Sequence, residues 1–69
     1  MYFIKEEIFE NEEIGKYITY GVVIYQKGKA VREIYDVSTS KRKVMELCAR
    51  CNRLKLDPMH IDDVIEDFL

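Results

Sequence analysis

Tryptophan is absent from this sequence, proline and histidine occur once each, cysteine twice and glycine three times, in 69 residues. Each scarcity excludes something. Gly15, Gly21 and Gly28 are isolated from one another, so no glycine-rich loop can cradle a phosphate. Two cysteines are too few for a disulfide framework, and we expect both thiols reduced and the protein cytoplasmic. No apolar run approaches the roughly 18 residues that read as a membrane span. The opening stretch MYFIKEEIFE carries charges at residues 5, 6, 7 and 10, which break the apolar core that a secretory signal needs. Clustered hydroxyls occur only at Ser38, Thr39 and Ser40.

What is present belongs to an ordinary globular chain. Hydrophobic residues make up 48% and charged residues 35%, a balance that can bury a core and excludes disorder by composition. The length fits a single domain, residues 1–69. Chains this short bury only about 60% of their unfolded surface, so the stability margin is thin and a partner subunit is a common reinforcement. The formal charge of −2 hides a partition. Residues 1–15 hold one Lys and five Glu; residues 16–55 hold ten Lys and Arg against three acids; residues 56–69 hold five acids and no Lys or Arg. Acidic ends folded over a basic middle explain this pattern without any ligand. A basic patch for an acidic partner is the sharper alternative.

Three extended segments come first. Residues 2–9 alternate loosely, with Tyr2, Ile4 and Ile8 on one face and Phe3 and Phe9 on the other. Residues 17–26, YITYGVVIYQ, are almost wholly β-branched or aromatic and give the strongest strand signal. Ile18, Tyr20, Val22 and Ile24 share one face; Tyr17, Thr19, Val23 and Tyr25 share the other. Gly21 marks a bulge or a close backbone approach. QKGKA predicts a hairpin turn with positive φ at Gly28. Residues 30–37 return as a third strand, with Ala30 and Ile34 on one side and Val31, Tyr35 and Val37 on the other, though neither register is compelling. The period then changes. After a serine or threonine cap at residues 38–40, apolar side chains recur at Val44, Leu47, Cys48, Cys51 and Leu54, the stripe of an amphipathic helix. Asp57 and Pro58 cap and start a second helix, whose stripe is Met59, Ile61, Val64, Ile65, Phe68 and Leu69. The expected class is therefore α+β: a three-stranded antiparallel sheet followed by two helices on one of its faces, β-β-β-α-α.

The stretch CARC, Cys48 to Cys51, with His60 downstream, is the one visible hint of reactive chemistry. A zinc site would need a fourth ligand from Asp57, Asp62 or Asp63, and its cysteine pair normally sits on a tight turn. A redox pair would sit at a helix start, where the N-terminus lowers the thiol pKa. Both cysteines instead continue a helical apolar stripe, and we read them as core packing. His60 reads as a surface residue, and the pairs Asp62/Asp63 and Glu66/Asp67 as a solvated helix face. No metal, no cofactor and no catalytic residue is expected.

The segment from Ile34 to Leu69 carries D-V-S before the first helix, L-D-P-M-H between the helices and the ending D-D-V-I-E-D-F-L. In these features it resembles the C-terminal half of small Firmicutes (clostridial) proteins in a family of unknown function. The resemblance implies a bacterial cytosolic protein and no activity that maps to any residue. The residues themselves suggest where a partner would bind. The second strand is apolar on both faces, more than a sheet with one wet face requires. We therefore expect a non-catalytic interaction or regulatory module that self-associates through its sheet as a homodimer, or binds another protein. Tyr17, Val23 and Tyr25 are its contact residues, and Asp63, Glu66 and Asp67 form an acidic docking face. A nucleic-acid module using the sheet tyrosines and the basic segment 16–55 is the alternative; the pI near 5.3 weighs against it.

Overall fold

The computed structural model describes residues 1–68. Three strands, β1 (Tyr2–Asn11), β2 (Gly15–Gln26) and β3 (Lys29–Ser38), form an antiparallel sheet in the order β1-β2-β3. Helix α1 (Lys41–Arg53), a 3₁₀ turn (Pro58–His60) and helix α2 (Ile61–Phe68) follow. The expected β-β-β-α-α arrangement is what the chain adopts. All three strands run longer than their apolar patterns suggest, because the ladder continues through charged residues at both hairpin ends.

Each connection has a local cause. Lys27 and Gly28 both take positive φ, +53° and +76°, which makes a two-residue turn whose twist matches the flanking strands. Ser40 caps α1, its hydroxyl accepting from the Lys43 N–H at 3.3 Å. Asp57 accepts from the Met59 N–H at 2.9 Å, and Pro58 opens the 3₁₀ turn there. This turn replaces the first turn of the expected second helix, so Met59 points into solvent rather than joining the apolar stripe. Leu54 likewise is the exposed C-cap of α1 and leaves its stripe. Leu69 lies outside the described residues.

The core lies between one sheet face and the helices. Tyr2, Val22, Ile24 and Val37 from the sheet meet Val44, Leu47, Cys48 and Cys51 of α1 and Ile61 of α2. Both cysteines are free thiols buried in this cluster, as their place on the stripe predicts. Burial pushes the Cys48 thiol up to about 11, with the Cys51 sulfur adding to the effect, and raises Cys51 as well.

The third strand is the part that alternation misreads. Val22 pairs with Ile34 and Tyr20 with Ser38, so one residue of β2, Gly21, faces three of β3, Tyr35 to Val37. The extra residues form a bulge in which Asp36 takes φ +52°. The bulge returns Val37 to the core side with Ile34, not to the side of Val31 and Tyr35. A second shift sets Ala30 opposite Tyr25, so Ala30 and Ile34 do not stay together. Gly21 permits the first bulge: a Cβ there would lie 2.3 Å from the Ile34 carbonyl oxygen.

Side chains of α1 also close the N-terminal end of β1. The Asn52 amide accepts from the Tyr2 N–H at 2.7 Å and donates to the Tyr2 carbonyl at 2.9 Å. The Tyr2 hydroxyl donates to the Leu56 carbonyl at 2.7 Å. The helices cover only this end of the sheet. Farther along, Ile8 and Ile18 pair across the β1–β2 hairpin on the helix side, yet remain 69% and 51% exposed because no helix reaches them.

Candidate functional site

The second face of the sheet carries no helix. Strict alternation along β2 places Tyr17, Thr19, Val23 and Tyr25 there, and the register adds Phe3, Lys5, Glu7 and Phe9 from β1 and Glu33 from β3. Two edge-to-face aromatic pairs mark its ends. Phe3 meets Tyr25 at 5.6 Å between ring centroids, and Phe9 meets Tyr17 at 6.1 Å. Phe3, Tyr25 and Tyr35 are exposed. Phe3, Lys5, Val23, Tyr25 and Glu33 line a shallow depression at the first of these ends.

The expected contact residues Tyr17, Val23 and Tyr25 therefore share one face, but not one role. Val23 is 8% exposed and forms the floor of the depression, while Tyr25 stands at its rim. Tyr17 lies at the far end, half-buried, its hydroxyl 3.4 Å from Asp36 Oδ2.

Between the aromatic pairs runs a polar strip. Thr19 has no exposed surface; its hydroxyl donates to Asp36 Oδ1 at 2.6 Å and also lies 3.2 Å from the Ser38 carbonyl. Lys5 Nζ sits 3.3 Å from Glu33 Oε2, 3.7 Å from Glu7 Oε1 and 5.0 Å from the Tyr35 ring centre. The Tyr35 hydroxyl donates to Glu33. The hydrogen bonds from Tyr35 and Lys5 hold the Glu33 carboxyl below its usual range; in return Glu33 raises both partners. Tyr17 is raised by desolvation and then by the Asp36 charge. Glu7 differs from the rest. It is 9% exposed, and among the described residues neither of its carboxylate oxygens has a hydrogen-bond donor.

The acidic residues Asp63, Glu66 and Asp67 are exposed on α2, which packs on the opposite side of the sheet. They do not join the aromatic face. Their neighbour Asp62 accepts from Arg32 at 2.7 Å, the one ion pair among the described residues that ties the acidic end to the basic middle. The basic residues of α1, Lys41, Arg42, Lys43, Arg50 and Arg53, are exposed on the helix side too. On the aromatic face Lys5 stands beside Glu7 and Glu33, and Lys27 and Lys29 border the end that Phe3 and Tyr25 share.

No group of three or more His, Cys, Asp or Glu side chains converges among the described residues, and His60 is exposed on the 3₁₀ turn. Among the described residues no helix is long and apolar enough to cross a membrane. Sequence reasoning missed three contributors: Asn52, whose amide closes the end of β1; Asp36, which anchors the bulge; and Glu7, whose burial nothing in its neighbours announces.

A family of unknown function, DUF6514, matches residues 1–69, and the chain belongs to it. The match takes in the strands as well as residues 34–69. No curated protein and no solved structure matches the chain.

Proposed function

We propose that this member of the family is a non-catalytic protein-interaction module of the bacterial cytosol, of Firmicutes origin as the resemblance implies, and that it self-associates through its sheet. The observation that carries the reading is the mismatch between sheet and helices. Two helices cover one end of one face, while Phe3, Tyr25 and Tyr35 on the other face and Ile8 and Ile18 beyond the helices stay in solvent. Apolar groups gathered on the sheet in this way are what association surfaces offer, and a second subunit would reinforce a domain of this size. Two buried thiols with raised pKa values suit a reducing compartment.

The nucleic-acid reading is weaker on this geometry. Base stacking favours tyrosines beside cations; Tyr17 and Tyr35 hydrogen-bond carboxylates and the basic residues of α1 lie across the sheet, which leaves Lys5 by the Tyr35 ring and Lys27 and Lys29 at the Tyr25 end as its support. Static light scattering over a wide range of chain concentration tests self-association: a mass rising toward twice the monomer supports it. A strict monomer at the highest concentration refutes it. Binding of single-stranded oligonucleotide that weakens steeply with salt would favour the alternative instead.

A further inference from the structure

Resting on the self-association reading, we propose that two copies pair through the outer edges of their β1 strands, antiparallel about Glu6, so that residue 4 meets 8, residue 5 meets 7 and residue 3 meets 9 of the other copy. The backbone fixes which groups are free. Met1 O accepts from the Tyr25 N–H at 2.8 Å, so the odd residues of β1 face β2. Tyr2 turns its N–H and carbonyl away from β2 and is closed by Asn52. By alternation, Ile4, Glu6 and Ile8 present their backbone groups outward, and no partner meets these among the described residues. The usable edge thus begins just after Tyr2.

Only even residues can meet even residues across such an edge. Centring on Glu6 pairs Ile4 with Ile8 on the helix side, which covers the exposed Ile8 of each copy. On the open face it pairs Phe3 with Phe9, and Lys5 with Glu7. The segment FIKEEIF is then complementary to itself: apolar positions mirror apolar ones and the cation mirrors a buried carboxylate. Glu7 is buried with no hydrogen-bond donor among the described residues, its own Lys5 lying 3.7 Å away, and this pairing brings a second Lys5 alongside it. Neighbouring registers fail. Centring on Glu7 sets the two buried carboxylates against each other, and centring on Lys5 opposes two lysines. Charges on an edge strand ordinarily guard against pairing; here they select one register. Its unfavourable element is Glu6 opposite Glu6, on the exposed helix side.

Charge exchange tests the register in the full chain. Sedimentation equilibrium is run on the parent, on Lys5→Glu, on Glu7→Lys, and on an equimolar mixture of the two variants, with circular dichroism confirming that each remains folded. Each variant alone turns two attractive pairs into repulsive ones and should raise the dimer dissociation constant by about tenfold or more. The mixture, in which every pair is again Lys against Glu, should recover a heterodimer near parental strength. Should one variant unfold alone, the double variant K5E/E7K, which keeps all pairs opposite in charge, should still dimerise. A parent dimer indifferent to these changes, or a mixture no tighter than its components, overturns the edge pairing while leaving self-association standing. A parent that never dimerises overturns both.

Discussion

Replacing Gly21 with alanine should be among the most damaging single-methyl additions this domain can suffer. The new Cβ would stand 2.3 Å from the Ile34 carbonyl oxygen and 3.3 Å from the Ile34 carbonyl carbon, both backbone atoms of β3. Contacts under 3.0 Å do not persist, so β3 must retreat by about 0.7 Å at its bulge. That bulge also sets Val37 in the core and Asp36 on Thr19, and neither follows freely. Overpacking of this kind costs about 1–3 kcal/mol, against which alanine returns about 0.4–1 kcal/mol by restricting the unfolded chain. A net loss of about 1–2 kcal/mol is expected. Domains hold about 0.05–0.15 kcal/mol per residue, so this is a substantial share of the total. At about 4–8 °C per kcal/mol, the melting temperature should fall by about 4–16 °C. Thermal and urea unfolding followed by circular dichroism would measure it. Gly28→Asn is the control: nothing lies within 4 Å of a Cβ there, and asparagine tolerates the +76° φ, so little change is expected. If Gly21→Ala melts within about 3 °C of the parent, the close approach of β2 and β3 is wrong, and with it the placement of Val37.

Other outcomes follow from the same contacts. Asn52→Ala removes both bonds to the Tyr2 backbone and should lower stability by about 1–3 kcal/mol in urea titration, with faster amide exchange at Tyr2. Tyr2→Phe deletes the bond to the Leu56 carbonyl and should cost about 1 kcal/mol in the same assay. The two thiols give a pH signature: because the folded values lie above the ordinary 9.0, stability is full below about pH 9 and falls as pH rises toward 11, and Cys48→Ala should flatten that alkaline loss. At pH 8 a thiol reagent should label native protein no faster than the domain opens; immediate labelling of either cysteine would refute core packing.

The residues that were legible in the sequence are those whose environment is repeated. Val44, Leu47, Cys48 and Cys51 recur at helical spacing, and the chain buries all four. The even positions of β2 announce one face and its odd positions the other, so Tyr17, Val23 and Tyr25 fall together as their spacing requires. The misread residues sit where the period breaks. Val37 crosses to the core because Asp36 takes a conformation that alternation cannot anticipate, although Gly21 marked the place on the opposite strand. Leu54 and Met59 look like stripe members until the caps at either end of the connection turn them outward. Asn52 was invisible for another reason: its partners are the backbone groups of a residue 50 positions away, and long-range side-chain contacts leave no local pattern. Val23 shows the limit for surfaces, since position on a face says which way a side chain points and not how deeply its neighbours cover it.

The amide clamp on Tyr2 has a consequence for the order of events on the ribosome. Synthesis proceeds at about 5–20 residues per second, so the span that separates Tyr2 from Asn52 takes roughly 3–10 s to make. The meander of three strands can form from nascent chain alone during that interval, but its first strand stays unlatched until α1 has emerged. The latch can therefore close only once α1 has emerged, and a chain stalled in α1 would expose its N-terminal edge to whatever strand or chaperone arrives first.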